Sequence, residues 1–155
     1  MIHLIKARDI EKMEEVVVQH QYNDNAIRHT KTLGTAAGLE RIGIHLIRIE
    51  PGRDTTTHHS HEADEEFVYI LSGRGVARIG DEEYELEPGD FMGFPTPSPA
   101  HSMSNPFETD LVYLVGGERN LPDVVHYPDL RRSLIKTADY RRGVDWDDMH
   151  DTPPR

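Results

Sequence analysis

The chain contains no cysteine. That removes thiolate chemistry, disulfides and cysteine-based zinc sites. No window approaches 18 consecutive apolar residues, so no membrane-spanning helix is expected. Positive charge is scarce, with 17 Lys and Arg against 28 Asp and Glu and a net charge of −11. Such a balance argues against nucleic acid and anionic membranes as partners, because both call for a basic patch. No helix pair of the DNA-binding kind is evident. Met1 to Asp9 carry no leader-like apolar run, so a cytoplasmic location is expected. Internal repeats and low-complexity tracts are lacking too. What the chain does have is length enough for one domain at 155 residues. It also has ten histidines, three of them within residues 58–61. Residues 50–90 hold twelve carboxylates against Arg53, Arg74 and Arg78. Neutral imidazoles inside an acidic segment make a place for a divalent cation.

The apolar pattern divides the chain in three. In residues 1–40, the spacing of Ile10, Met13 and Val17 predicts a helix over 9–20, capped by Asp9. Residues 21–40 read as loop or irregular edge strand. From Arg41 the period becomes two. Short strands are predicted over 42–47, 66–71, 75–79, around Tyr84 and Leu86, over 91–94, near His101 and over 111–115. Turn signals such as Pro51-Gly52, Ser72-Gly73, Gly80-Asp81 and Pro88-Gly89 separate them. Turns at about 8–12-residue intervals with no long helix between them indicate an all-β sandwich or barrel over 41–117. Residues 118–155 read as an extension with a helical turn or two in 130–140. Asp145 to Arg155 reads as a tail, its carboxylates solvated.

Within the barrel segment, His59 and His61 lie two apart, so on an extended strand both leave the same face. Carboxylates at 62–66 open the next apolar strand. Glu66, Val68 and Ile70 share one face of that strand. A further histidine, His101, follows the proline-rich run Pro95-Thr96-Pro97-Ser98-Pro99. These two segments resemble the two cupin motifs. The first is His59-x-His61, four residues, Glu66, six residues, Gly73, with Gly52 one residue further upstream than usual. The second is Gly89, five residues, Pro95, then His101, three residues, Asn105. It departs from the pattern where Pro95-Thr96-Pro97 replaces Pro-x-Gly, and its step to His101 is one residue longer.

The resemblance implies a double-stranded β-helix, the jelly-roll barrel of cupins, with an N-terminal helix or arm and a C-terminal extension. It implies one divalent transition metal per chain, held by His59, His61, Glu66 and His101. Such a donor set suits Fe, Mn, Ni, Co or Zn without choosing among them. It leaves about two positions of an octahedral ion open, as catalytic sites do. The expected function is a metal-dependent enzyme on a small oxygen-rich substrate, of dioxygenase, isomerase, cyclase or decarboxylase type. The alternative is a barrel that binds a small molecule or metal without turnover. A small-molecule ligand in the barrel and a homodimer built partly from the arms are the expected partners. No catalytic residue is assigned, although His45, Tyr69, Tyr113 and Glu65 could supply an acid or base. His58 reads as an outward neighbour of the pair. Glu62, Asp64 and Glu65 read as solvated charge, one of which could orient a histidine. His20, His29 and His126 read as ordinary surface or edge residues. Arg48 is either exposed or holds an anion.

Overall fold

The computed structural model describes residues 3–153. Strands dominate it: β1 (Val16–His20), β2 (Asn23–Lys31), β3 (Ile42–Ile49), β4 (Ser60–His61), β5 (Glu66–Ser72), β6 (Gly75–Ile79) and β7 (Glu82–Leu86). They continue with β8 (Phe91–Phe94), β9 (His101–Ser104), β10 (Leu111–Glu118), β11 (Asp123–Tyr127), β12 (Arg132–Lys136) and β13 (Arg141–Asp145). Two short helices, α1 (Ala7–Glu11) and α2 (Leu33–Ala36), complete the regular structure with two 3₁₀ turns.

The strands form three sheets in the orders β1-β2-β3-β10-β5-β8, β13-β12-β11-β4 and β7-β6-β9, and every paired strand is antiparallel. Alternation places Ile47 and Ile49 of β3, Val68 and Ile70 of β5, and Leu111 and Tyr113 of β10 inside the barrel. Ala77, Leu86 and Met103 close on them from the three-stranded sheet. Burying one such Leu or Ile side chain contributes about 1.5–3 kcal/mol. Two motif residues are structural. Gly73 turns the chain at φ +76°, and a Cβ there would lie 2.1 Å from the Asp110 carbonyl oxygen. Asn105 is fully buried; its amide donates to the Ile49 and Thr109 carbonyls and its oxygen accepts from Phe107 N–H.

The arms differ from the expectation. The helix of 9–20 is confined to Ala7–Glu11, and Val16–His20 is strand. The β-branched run Val16-Val17-Val18 is stiff at χ1 and suits a pleated surface better than a helix. Residues 23–31, expected as loop or irregular edge, are a nine-residue strand that buries Ala26 and Thr30 and joins β3. Residues 132–136, placed in a stretch read as helical, are strand, paired on both sides. The segment read as a tail is tied down at its start. Asp145 accepts from Arg132 at 2.6 Å, Asp147 from Arg131 at 2.8 Å, and the Trp146 indole donates to Ser133. Arg48 is partly exposed, and the anions it holds are the chain's own carboxylates, Glu15 and Asp110, at 2.7 and 3.2 Å.

Candidate metal centre

His59 and His101 face each other across an antiparallel bridge, exchanging backbone hydrogen bonds of 3.1 and 2.7 Å. His61 stands on β4, whose other edge carries β11. Glu66 opens β5. These four positions converge at one end of the barrel core. The Nε2 atoms of His101, His61 and His59 lie 3.3, 3.7 and 3.8 Å from one oxygen, Glu66 Oε2. Donor atoms of His59, His61 and Glu66 all lie within 4.8 Å of one another.

The opposite ring nitrogens fix the tautomers. His59 Nδ1 donates to the Thr57 carbonyl two residues back at 2.9 Å, and His101 Nδ1 to the Pro99 carbonyl at 3.5 Å. His61 Nδ1 donates to Asp123 Oδ2 at 2.8 Å. A carbonyl or carboxylate can only accept, so each Nδ1 is held as a donor, and each Nε2 is left facing Glu66, where an ion would take the place of any proton between them. Burial pushes the His59 ring toward the neutral form. Burial acts to raise the Glu66 carboxyl, but hydrogen bonds from His101 and His59 outweigh it and hold the group well below the usual carboxylate range. Three imidazole Nε2 atoms and an ionised carboxylate thus meet at one place. Ligand atoms around one first-row ion lie about 3.0–3.4 Å apart; His101 stands at such a distance from Glu66, and His61 and His59 stand a few tenths of an ångström further out. The residues present therefore fit a divalent ion.

Supports outside this set hold it in place. Phe94 stacks on the His101 ring at 3.5 Å between centroids and 4° between planes. Gly117 pairs with Glu66 across β10 and β5, and a Cβ there would sit 3.1 Å from Glu66 Oε1. Asp123, fully buried, also accepts from Ala63 N–H at 3.1 Å and meets Lys136 Nζ at 2.5 Å. Burial acts to raise its carboxyl, and the bonds from His61 and Lys136 reverse that and keep it ionised.

Some sequence expectations are corrected. Asp64 is not solvated: it is buried, 3.9 Å from His61 Nδ1, and accepts from Lys136 and Asn120 N–H. His58 is not outward. It is buried beside Ser102 Oγ at 3.2 Å. His29 lies between Glu15 and Glu50, and His126 donates from Nε2 to Glu62 and hydrogen-bonds Ser133 Oγ through Nδ1. Of the four acid–base candidates, Tyr69 and Glu65 are exposed. Tyr113 lines a cavity of about 230 Å³ together with the four converging residues. His45 lines an adjoining cavity of about 540 Å³, which also reaches His61 and Glu66. Sequence reasoning missed Asp123, Lys136 and His20. His20 lines the smaller cavity, and burial, then the Arg28 charge, push its ring down to about 4.

Residues 45–117 match the family model of the Cupin_2 cupin domain. The chain is 41% identical to a candidate sugar phosphate isomerase of Acidithiobacillus ferrooxidans, whose crystal structure superposes with a TM-score of 0.95 over 97% of both chains. A sugar phosphate isomerase of the cupin superfamily from Silicibacter pomeroyi is 27% identical, with a TM-score of 0.81 over 96% of both chains. An uncharacterised protein of Methanocaldococcus jannaschii is 37% identical over 57 residues, which are 37% of this chain and 45% of that one. The chain belongs to the cupin superfamily, and its fold is the all-β cupin barrel. No helix among the described residues is long and apolar enough to cross a membrane.

Proposed function

We propose that this chain is a metal-dependent isomerase acting on a small sugar-like carbonyl compound. The observation that carries this reading is the convergence of three Nε2 atoms on Glu66 Oε2 at 3.3–3.8 Å, each ring pinned at Nδ1. The likeness over nearly the whole chain to proteins named as sugar phosphate isomerases supports isomerisation among the chemistries that cupins host. His59, His61, His101 and Glu66 would hold one divalent ion, which supplies Lewis acidity at a substrate carbonyl. The chain's own groups orient the substrate. His20 accepts Tyr22 N–H at Nδ1, so in its neutral ring Nε2 carries the proton and can donate a hydrogen bond to a substrate oxygen. Tyr113, kept protonated by burial, can donate a hydrogen bond within the same cavity. Val68, Met92 and Phe94 make its inner wall apolar and limit water there.

The test is elemental analysis of tag-free protein prepared with and without oxygen, beside His61→Ala. One equivalent of a divalent metal, lost in the variant, together with aldose–ketose interconversion without oxygen is the expected result. Turnover that consumes dioxygen would move the function to oxygenation. Absence of metal even after reconstitution would overturn the reading and leave a binding barrel.

We also propose a homodimer. The six-stranded sheet turns Tyr69, Leu71 and Phe91 outward, and β1 exposes Val16 and Val17. Sedimentation equilibrium at micromolar concentration should give twice the chain mass, and a monomer would refute the pairing.

A further inference from the structure

The chain is strongly acidic, yet three arginines beside the metal cluster have no acidic partner. Arg48, Arg74, Arg78, Arg131 and Arg132 each pair with a carboxylate. Arg28, Arg119 and Arg141 pair with none among the described residues, and all three line the cavity that reaches His61 and Glu66. Arg28 Nε is buried with no hydrogen-bond partner, and so is His45 Nδ1. A guanidinium stays charged and can only donate. Natural structures leave few such buried groups unsatisfied unless a ligand completes them.

Topology brings these groups to one rim from separate parts of the chain. Arg28 comes from β2 and Arg119 follows β10. Asp123, Lys136 and Arg141 sit opposite one another across β11, β12 and β13, and Lys136 and Arg141 of that row line the same cavity. In that row Lys136 is occupied by Asp123 and Asp64, which leaves Arg141 unneutralised. Arg119 and His45 both lean over Gly43, where a Cβ would lie 3.2 Å from Arg119 Nε and 3.2 Å from His45 Nε2. Burial, then the charges of Arg119 and Arg28, push the His45 ring down from its ordinary value. Of the carboxylates lining this cavity, Asp64 is held by Lys136, and Glu118 accepts from Glu65 N–H and Asn120. Glu66 belongs to the metal cluster. None of these is within ion-pair reach of the three arginines.

We propose that Arg28, Arg119 and Arg141, with His45, form a subsite for the phosphate of a phosphomonoester, whose other end reaches the metal cluster. Forked guanidinium donors match a phosphate group in geometry and charge. That the phosphate is one end of the substrate rests on the isomerase reading; the anion subsite itself does not.

Isothermal titration of the full chain separates the two. The probes are inorganic phosphate, a hexose phosphate and the unphosphorylated hexose, each on metal-loaded and chelator-stripped protein. Stripped protein should bind inorganic phosphate. Arg28→Gln and Arg119→Gln should each weaken that binding about tenfold, and Arg74→Gln should not. Arg119 is exposed, so its variant folds even if Arg28→Gln is damaged. With metal loaded, the hexose phosphate should bind more tightly than either the free hexose or inorganic phosphate. Stripped protein that binds no phosphate, or arginine variants that bind as the parent does, would overturn the subsite. A hexose phosphate no tighter than inorganic phosphate on loaded protein would overturn its role as a substrate end. A chain that takes up no metal yet binds phosphate through these arginines would refute the isomerase reading and support the subsite.

Discussion

The barrel segment and the arms divide the candidate site between them. Residues 41–117 supply all four converging donors, His59, His61, Glu66 and His101. Residues outside that segment supply part of what surrounds them. Asp123 holds His61, and Lys136 holds Asp123. His20, Arg28, Arg119 and Arg141 line the cavities above the donors. On the proposed function, the barrel would keep its metal chemistry while the arms change which compound is presented to it. Metal binding is then expected chiefly of one region, and much of the substrate contact of the other.

The largest expected effect lies in the barrel. His101→Ala should empty the site, seen as loss of stoichiometric metal on elemental analysis, with the unfolding midpoint of the metal-stripped protein little changed. A smaller effect is expected from the extension. Asp123→Asn should weaken metal affinity about 10–100-fold by chelator competition, because the partner that orients a ligating imidazole is lost. It should also destabilise the fold by about 3 kcal/mol in denaturant, because Lys136 loses a buried counter-charge. Adding Lys136→Met to Asp123→Asn should recover neither stability nor metal affinity, because buried Asp64 then loses Lys136 as its counter-charge. Recovery of both would mean that the extension acts only as a brace. Next comes Gly117→Ala. Its Cβ would sit 3.0 Å from Glu66 Cγ, so the carboxylate must shift by a few tenths of an ångström. Metal affinity should fall several-fold. An unchanged affinity would show that Glu66 has slack.

These regions were not equally legible in the sequence. In the barrel, the turn glycines and period-two alternation placed β3, β5, β6, β8 and β10 closely. The spacing around His59, His61 and Glu66 singled out residues that the fold brings together. Local signals suffice there because both strand face and turn are written within a few residues. The arms carry weaker local signals. Glu11, Glu14 and Glu15 suit a helix start, and only the three valines spoke for a strand. The polar strand β2 buries just Ala26 and Thr30, so its alternation is faint. Asp123 and Arg28 acquire their roles from partners about 60 residues away in sequence or across the cavity, and a single sequence carries no sign of such pairings. His58 was misread for the same reason, since its cover comes from Ser102 on β9.

The smallest effect probes how the N-terminal arm is fastened to the barrel. Glu15 accepts two hydrogen bonds from Arg48 on β3, at 2.7 and 3.3 Å. The hydrogen bond from Arg48 is the main reason that its carboxyl lies below the ordinary value of 4.5. A carboxyl depressed by folding contributes stability above its unfolded value, and that contribution is lost as pH falls through the folded value. The pair is partly exposed, so its worth is about 0.5–1 kcal/mol. Glu15→Gln should therefore lower the unfolding free energy by about that amount at pH 7 and by less below about pH 4. Metal content should not change at either pH, because the arm's carboxylate lies outside the donor set. A metal loss on Glu15→Gln would break the division, showing that docking of the arm reaches through β2 to the cluster.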